Sequence, residues 1–368
     1  MTYFFPLSDI STNGNIHEDA SLVTVVVISY NYGHFLEECL VSLSQQTIAS
    51  EIKVLVIDSK SDLFLNESVL AIAKARGLGL NVSLLKRNNR HLLGCNRNFG
   101  TDQTRSPYVM FLDADDQLNP FYLELCLFSM IKRGVDIVGT GHLRFSSTGK
   151  FSRAEGMHRK PNPKTIEIDN VFGSQALIRK DIFDLCSGFN DTGFGPNLIY
   201  EDWRFFHKVL KMGGIGINLP VDLVRYRVHS ESQSRQLGIP LRDTQSAAIR
   251  YLNRDFKASP KLVRKRRLKQ IRRNSRTHLK RLIDSINRTK LAYKLVYKSK
   301  FSYETSNIAI LFSPKAGSER WFEVHRSLNL LLLTRALGFR FTLSYILARY
   351  KQRLYLLMLH GQKSGSSA

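Results

Sequence analysis

Three carboxylates, Asp113, Asp115 and Asp116, occupy four consecutive positions at the end of the apolar run Tyr108-Val109-Met110-Phe111-Leu112. Adjacent acids repel one another and cannot share an apolar site without a compensating cation. Oxygen ligands at a strand end suit a hard divalent ion such as Mg2+ or Mn2+, which commonly also takes phosphate oxygens from a substrate. The same residues also read as a solvated strand-to-helix turn, with Asp116 or Asn119 capping a helix that begins near Pro120. What the rest of the chain brings to this strand end decides between the two.

The elements that would position these acids are legible upstream. Residues 1–20 read as a polar extension, and Leu22-Val23-Thr24-Val25-Val26-Val27-Ile28 is the near-continuous β-branched run of a strand buried on both faces. It stops at Ser29-Tyr30-Asn31-Tyr32-Gly33, and Phe35, Leu36, Cys39, Leu40 and Leu43 then form one helical stripe. A second buried strand over 52–57 ends at Asp58-Ser59-Lys60-Ser61-Asp62. A helix over about 66–76, a strand over 81–85 and a helix near 94–104 lead to the acidic strand, followed by a helix to about Lys132 and a short strand at 136–140. Ala176-Leu177-Ile178 reads as another strand, and 203–212 as a helix stopped by Gly213-Gly214. This alternation predicts an α/β fold with a right-handed, mostly parallel sheet flanked by helices. In such sheets ligands bind beyond the carboxyl ends of the strands where strand order reverses. Ser29, Asp58 and Asp113 all lie just past strand ends and so can converge on one crevice.

The 368 residues carry 54 Lys or Arg against 31 Asp or Glu, a net charge of +23, and residues 251–300 alone hold 18 of the bases against Asp255 and Asp284. That segment sets the electrostatic character of the chain and fits an anionic lipid surface, nucleic acid or a polyanionic substrate. Cys39, Cys95, Cys126 and Cys186 are scattered, without metal-site spacing, as in a reducing compartment. The start lacks a basic region and a long apolar run, and the most apolar stretch, around 328–347, is broken by Arg335 and Arg340. These features predict a cytoplasmic protein.

Four separated motifs, in order, resemble the family-2 glycosyltransferases, inverting enzymes on the GT-A fold. They are Val26-Val27-Ile28-Ser29-Tyr30-Asn31; Val56-Ile57-Asp58-Ser59-Lys60-Ser61-Asp62; Arg97-Asn98-Phe99-Gly100 leading to Asp113-Ala114-Asp115-Asp116; and Gly188-Phe189-Asn190 with Glu201-Asp202-Trp203 and Tyr226-Arg227-Val228-His229. The resemblance covers about residues 21–235 and implies a Rossmann-like mixed, mostly parallel GT-A sheet binding a nucleotide-diphosphate sugar. Ile57 stands where the family has the first acid of a pair, and Ser59 where it has Gly, which leaves the base identity open.

The resemblance assigns Asp115 as the main ligand of Mn2+ or Mg2+, Asp113 to the metal or the ribose, and His229 to the metal or the diphosphate. It leaves Asp116 undecided. Ser29, Tyr30, Asn31, Asp58, Arg97, Asn98 and Ala114 join Asp113 and Asp115 as the nucleotide-sugar site, with Asp58 on the base and the Tyr30 ring as a stacking face. Asp202 is the implied general base, with Glu201 positioning the acceptor; as a residue alone, Asp202 reads equally as the cap of its helix. The Gln-x-x-Arg-Trp motif of processive relatives does not occur, which implies one sugar added per encounter.

The pattern changes near residue 240, giving expected divisions of 1–20, 21–240 for the glycosyltransferase domain and 241–368 for a basic, amphipathic, α-helical C-terminal region. Leu268, Ile271, Leu279, Leu282, Ile283 and Ile286 are spaced as an apolar stripe among Lys and Arg, and Phe341 to Met358 form a second. Such helices suit the inner face of an anionic membrane, where a lipid-linked or glycan acceptor for surface polysaccharide would be met; packing on the catalytic domain is the other use of the same stripe. A nucleic-acid-binding protein acting through this region is the alternative from another class, but it leaves the carboxylates unexplained.

Overall fold

Valine and isoleucine form the centre of the sheet. In this computed structural model, which describes residues 21–146, 151–153, 161–189, 201–230 and 277–285, every residue of strand β1, Val23–Ser29, is buried. β1 lies parallel to β2, Ile52–Asp58, and to β4, Tyr108–Asp113, while β3, Asn81–Lys86, lies parallel to β2. Strand order is β3-β2-β1-β4-β8-β6-β9-β5. The remaining strands are β5, Gln117–Leu118; β6, Ile137–Phe145, longer than expected; β7, Phe151–Arg153; β8, Leu177–Arg179; and β9, Gly216–Arg227. The chain grows outward from β1 to β3 and then returns to place β4 on the other side of β1. That reversal opens a crevice at the carboxyl ends of β1 and β4, where Ser29 and Asp113 stand. Beyond β4 the pairings are antiparallel, as with β8 on β4 and β6.

The helices seal the faces. α1, Gly33–Ser44, buries Leu36, Cys39, Leu40 and Leu43, the stripe expected from the spacing. α2 is Leu65–Gly77 and α3 is Leu93–Asp102. α3 crosses β1 closely at Gly100, where a Cβ would lie 2.4 Å from Val26 Cγ1. In front of α4, Tyr122–Arg133, the Asn119 Oδ1 accepts the Phe121 amide at 3.0 Å. Asn119 therefore makes the turn, but the N-cap position is Phe121, without a side-chain cap, so neither Asp116 nor Asn119 caps the helix as expected. α5, Lys180–Leu185, follows β8 directly. α6, Glu201–Lys211, starts two residues earlier than the apolar spacing indicated, so Asp202 stands in its first turn.

A short helix, α7 at residues 277–285, comes from the region expected to begin at 241. It buries Leu282 and Ser285 completely, and it places His278 Nδ1 3.0 Å from Tyr108 Oη, the Arg281 guanidinium 2.6 Å from Glu51 and Ser285 Oγ 2.9 Å from Ser50 Oγ. Tyr108 opens β4 and Glu51 immediately precedes β2, so α7 meets the amino-terminal ends of these two strands. Of the expected stripe Leu282 is buried here, Leu279 and Ile283 are partly buried, and Leu268, Ile271 and Ile286 lie outside the described residues. The extension 1–20, the basic residues 241–276 and the stripe 341–358 lie outside the described residues.

Candidate functional site

The loops after β1 and β2 are bolted together. The Ser29 carbonyl accepts the Ser59 amide at 2.9 Å, and Ser29 and Asp58 are register partners. Asn31 has φ 57°, donates its amide to Ser61 Oγ, and accepts the Asp62 and Leu63 amides on its side chain at 3.0 Å. Its side chain thus closes the turn, an arrangement that suits Asn in the left-handed region. Asp58 is fully buried; Oδ2 accepts the Ser61 amide at 3.1 Å while Oδ1 has no partner, and the buried Ser29 Oγ has none either. Buried polar atoms without partners are uncommon, which singles out this pair at the strand ends. The Tyr30 ring is covered on one face by the Arg90 guanidinium, 4.1 Å from its centroid.

At the end of β4 the acids diverge in role. Asp113 is partly exposed and its Oδ1 accepts from Arg97 of α3 at 3.1 Å. The same guanidinium, itself 1% exposed, also ion-pairs with Glu201 at the start of α6. Ala114 is buried and donates its amide to the Ile28 carbonyl, which fixes the turn against β1. Asp116 is fully buried, and accepts the Arg227 amide at 3.0 Å and the Gln175 side chain at 2.6 Å. Burial pushes its carboxyl well above the usual range, and Asp115 and Asp113 push it further. Asp116 therefore buckles β9 and the segment before β8 onto the acidic turn.

His229 reaches the site because β9 pairs antiparallel with β5, with Gln117 opposite Arg225. That register sets His229 Nε2 2.9 Å from Asp115 Oδ2, across 114 residues of sequence. The imidazole packs against Tyr32 and Phe35, at centroid distances of 5.5 and 4.9 Å, and its buried Nδ1 has no partner. Burial raises the Asp115 carboxyl, Asp113 adds to the rise, and the hydrogen bond from His229 opposes it. An imidazole and a carboxylate with compressed negative charge fit a divalent ion. Among the described residues no group of three His, Cys, Asp or Glu is gathered closely enough to hold one alone. Two protein ligands suit an ion of the Mg2+ type, which completes its shell with phosphate oxygens and water.

Asp202, in the first turn of α6, is half-buried. Its Oδ1 accepts the Trp203 amide at 2.7 Å and its Oδ2 accepts from Asn170 at 3.1 Å. Burial raises its pKa, Arg97, the Trp203 amide and Asn170 lower it, and the net shift is upward. Trp203, buried, donates its indole N–H to the Ile166 carbonyl at 2.6 Å. Asn98 spends its side-chain amide on the Phe189 backbone in both directions, at 2.8 and 2.9 Å. The structure thus brings Arg97, Asp113 and Glu201 into one cluster, pairs Asp115 with His229, and sets Ser29 beside Asp58. Asn170, Gln175 and Arg90 have no local motif and come to light only through the residues they touch.

The profile of Glycosyl transferase family 2 matches residues 24–187. The chain is 29% identical over 187 residues to the uncharacterized glycosyltransferase EpsJ of Bacillus subtilis, a match covering 51% of this chain and 48% of that protein, about half its length. It is 27% identical over 213 residues to the UDP-Gal:alpha-D-GlcNAc-diphosphoundecaprenol beta-1,3-galactosyltransferase of Escherichia coli, covering 56% of this chain and 73% of that one. In fold it is similar to S. aureus TarS 1-349 in complex with UDP-GlcNAc, with a TM-score of 0.51, 16% identity and coverage of 87% and 89% of the two chains. Sequence motifs, sheet and profile agree over this stretch: residues 24–187 match glycosyl transferase family 2, on a GT-A-like α/β fold.

Proposed function

We propose that this protein is an inverting, metal-dependent glycosyltransferase that moves one sugar from a nucleotide-diphosphate donor to a hydroxyl of a glycan or lipid-linked acceptor in surface polysaccharide synthesis. The observation that carries this reading is the single buried guanidinium of Arg97, which joins Asp113 on the donor side to Glu201, the neighbour of Asp202. Asp113 and Glu201 are thereby brought together from parts of the sequence 88 positions apart. The beta-1,3-galactosyltransferase of Escherichia coli, named for a UDP-Gal donor and a diphosphoundecaprenol acceptor, supports both substrate classes. The lipid-linked acceptor would be met at the inner face of a membrane, approached by the basic C-terminal region. No helix among the described residues is long and apolar enough to cross a membrane.

In this reading Asp58 and Ser29 receive the base with the polar atoms they leave unpartnered, beside Tyr30. Asp115 and His229, with Asp113, would hold the metal, which when bound offsets negative charge on the departing diphosphate. Asp202 takes the proton of the acceptor hydroxyl. The freed oxygen forms a bond to the anomeric carbon as the bond from that carbon to the phosphate oxygen breaks, and its electron pair leaves with the nucleoside diphosphate. Attack from the face opposite the leaving group inverts the anomeric configuration. Arg97 holds the carboxylates of Asp113 and Glu201, and Asn98 fixes the Phe189 backbone.

The test is a screen of UDP-, GDP-, CMP- and dTDP-sugars for thermal stabilisation of the full chain, with and without Mn2+. A bound donor raises the apparent stability of the folded state alone. We expect stabilisation by a UDP-sugar that depends on the metal. No shift with any donor would sink the reading.

A further inference from the structure

Asn170 lies outside every recognisable motif, yet its side-chain amide is aimed at Oδ2 of Asp202, 3.1 Å away. The other oxygen of that carboxylate is taken by the Trp203 amide. The rotation of the Asp202 carboxylate is therefore fixed from two directions, one on its own helix and one from the segment 161–176. That segment is itself anchored at several points. The Ile166 carbonyl accepts the Trp203 indole N–H, Glu167 ion-pairs with Lys211 of α6, and the Val171 carbonyl accepts from Asn218 of β9. Phe172 is fully buried against Phe206, and at Gly173 a Cβ would stand 2.2 Å from His142. A side chain carried on backbone held this firmly keeps its position when the crevice fills or empties.

We propose that Asn170 is a positioning residue for Asp202, donating to Oδ2 so that the free lone pair of that oxygen points at the acceptor hydroxyl. This rests on the reading of Asp202 as the base. The amide donates to the ionised carboxylate and so favours the form that can take a proton, in the same sense as Arg97 and against burial and Asp113. Glu201, the remaining charged neighbour, has its charge answered by Arg97. The Asn170 amide cannot itself exchange a proton at working pH, so it acts only through the orientation and ionisation of its partner.

The experiment uses the full chain and the pair Asn170→Ala and Asn170→Asp, the second isosteric with Asn and therefore compatible with the packing of the segment. The first readout needs no substrate: a 13C titration of the aspartate carboxyls, with the Asp202 signal identified by its loss in Asp202→Asn. Its midpoint should move to higher pH in Asn170→Ala and further in Asn170→Asp, where two carboxylates face each other. The second is release of UDP from UDP-galactose with Mg2+ and an acceptor hydroxyl. Here kcat should fall about tenfold in Asn170→Ala with donor KM unchanged, and the acid limb should move up with the carboxyl midpoint. An unchanged midpoint in both variants overturns the proposal. A kcat loss with an unmoved pH profile also overturns it, since a purely structural role predicts that result. If the midpoint moves while Asp202→Asn keeps near-normal turnover, the positioning contact stands and the base assignment fails.

Discussion

Asp113 and Glu201, 88 positions apart in the chain, share the guanidinium of Arg97, whose side chain is 1% exposed. Burial would lower the pKa of that guanidinium, but Glu201, Asp113 and Asp202 more than reverse the effect, so the charge is fixed. A forked, planar cation can address two carboxylates at once where an ammonium presents a single point of charge.

Arg97→Met should therefore leave buried carboxylates uncompensated and cost about 3–5 kcal/mol of stability. Arg97→Lys should retain the charge but not both contacts, falling between wild type and Met. Urea unfolding curves of the three proteins check the order. A Lys variant as stable as wild type would show that only charge, and not the fork, is needed.

Asp202→Asn keeps shape and removes the ability to accept a proton. Transfer should fall by roughly 10²–10⁴-fold, the usual worth of a positioned base, while donor binding by calorimetry is retained. In the wild type, burial raises the Asp202 pKa despite Arg97. The base works only when ionised, so kcat/KM should decline as pH falls through a midpoint above the ordinary aspartate value of about 3.9. The decline should be absent from the residual rate of Asp202→Asn.

Asp115→Ala should abolish the part of nucleotide affinity that depends on Mn2+, and His229→Ala should weaken it less, since an anionic oxygen contributes more than a neutral nitrogen to a hard ion. Fluorescence titration of UDP with and without Mn2+ separates the two. Equal affinity in both conditions for the wild type would end the metal assignment.

α7 makes a separate prediction about stability. Leu282, fully buried, should cost about 2–5 kcal/mol when cut to Ala. His278 has its pKa lowered by burial, with Arg281 and Arg179 acting in the same direction. A lowered histidine binds fewer protons in the folded than in the unfolded state, so stability should be level above the unfolded value of about 6.5 and be lost as pH falls below it. His278→Gln should flatten that part of the stability profile measured by urea unfolding at each pH.

Much of this fold is written locally. β1 and β2 are dominated by Val, Ile and Leu, β4 is the apolar run Tyr108 to Leu112, and the stripe of α1 falls at the expected spacing. β9 is different: its residues Gly216 to Arg227 include Pro220, Asp222 and two arginines, and pairing with β6 and β5 makes them a strand. The identity of Asp116 was equally hidden, because its partners Gln175 and Arg227 lie 59 and 111 residues away. The metal and base candidates stood out as motifs. The residues that hold them, Asn170 and Gln175 among them, carry no pattern because any donor placed there by tertiary packing would serve. For α7 the helix was legible in the stripe, but not the strand ends that it meets.

The antiparallel match of β9 to β5 has a consequence in time. Asp115 leaves the ribosome 114 residues ahead of His229, roughly 6–20 s at ordinary rates of synthesis. For nearly all of that interval the nascent chain carries the three acids without the imidazole and without the Arg227 amide that Asp116 accepts. A slip of one residue in the pairing would also displace His229, which follows the end of β9 by two positions, from Asp115. The arrival of His229 at Asp115 thus reports that β9 has found its place on β5.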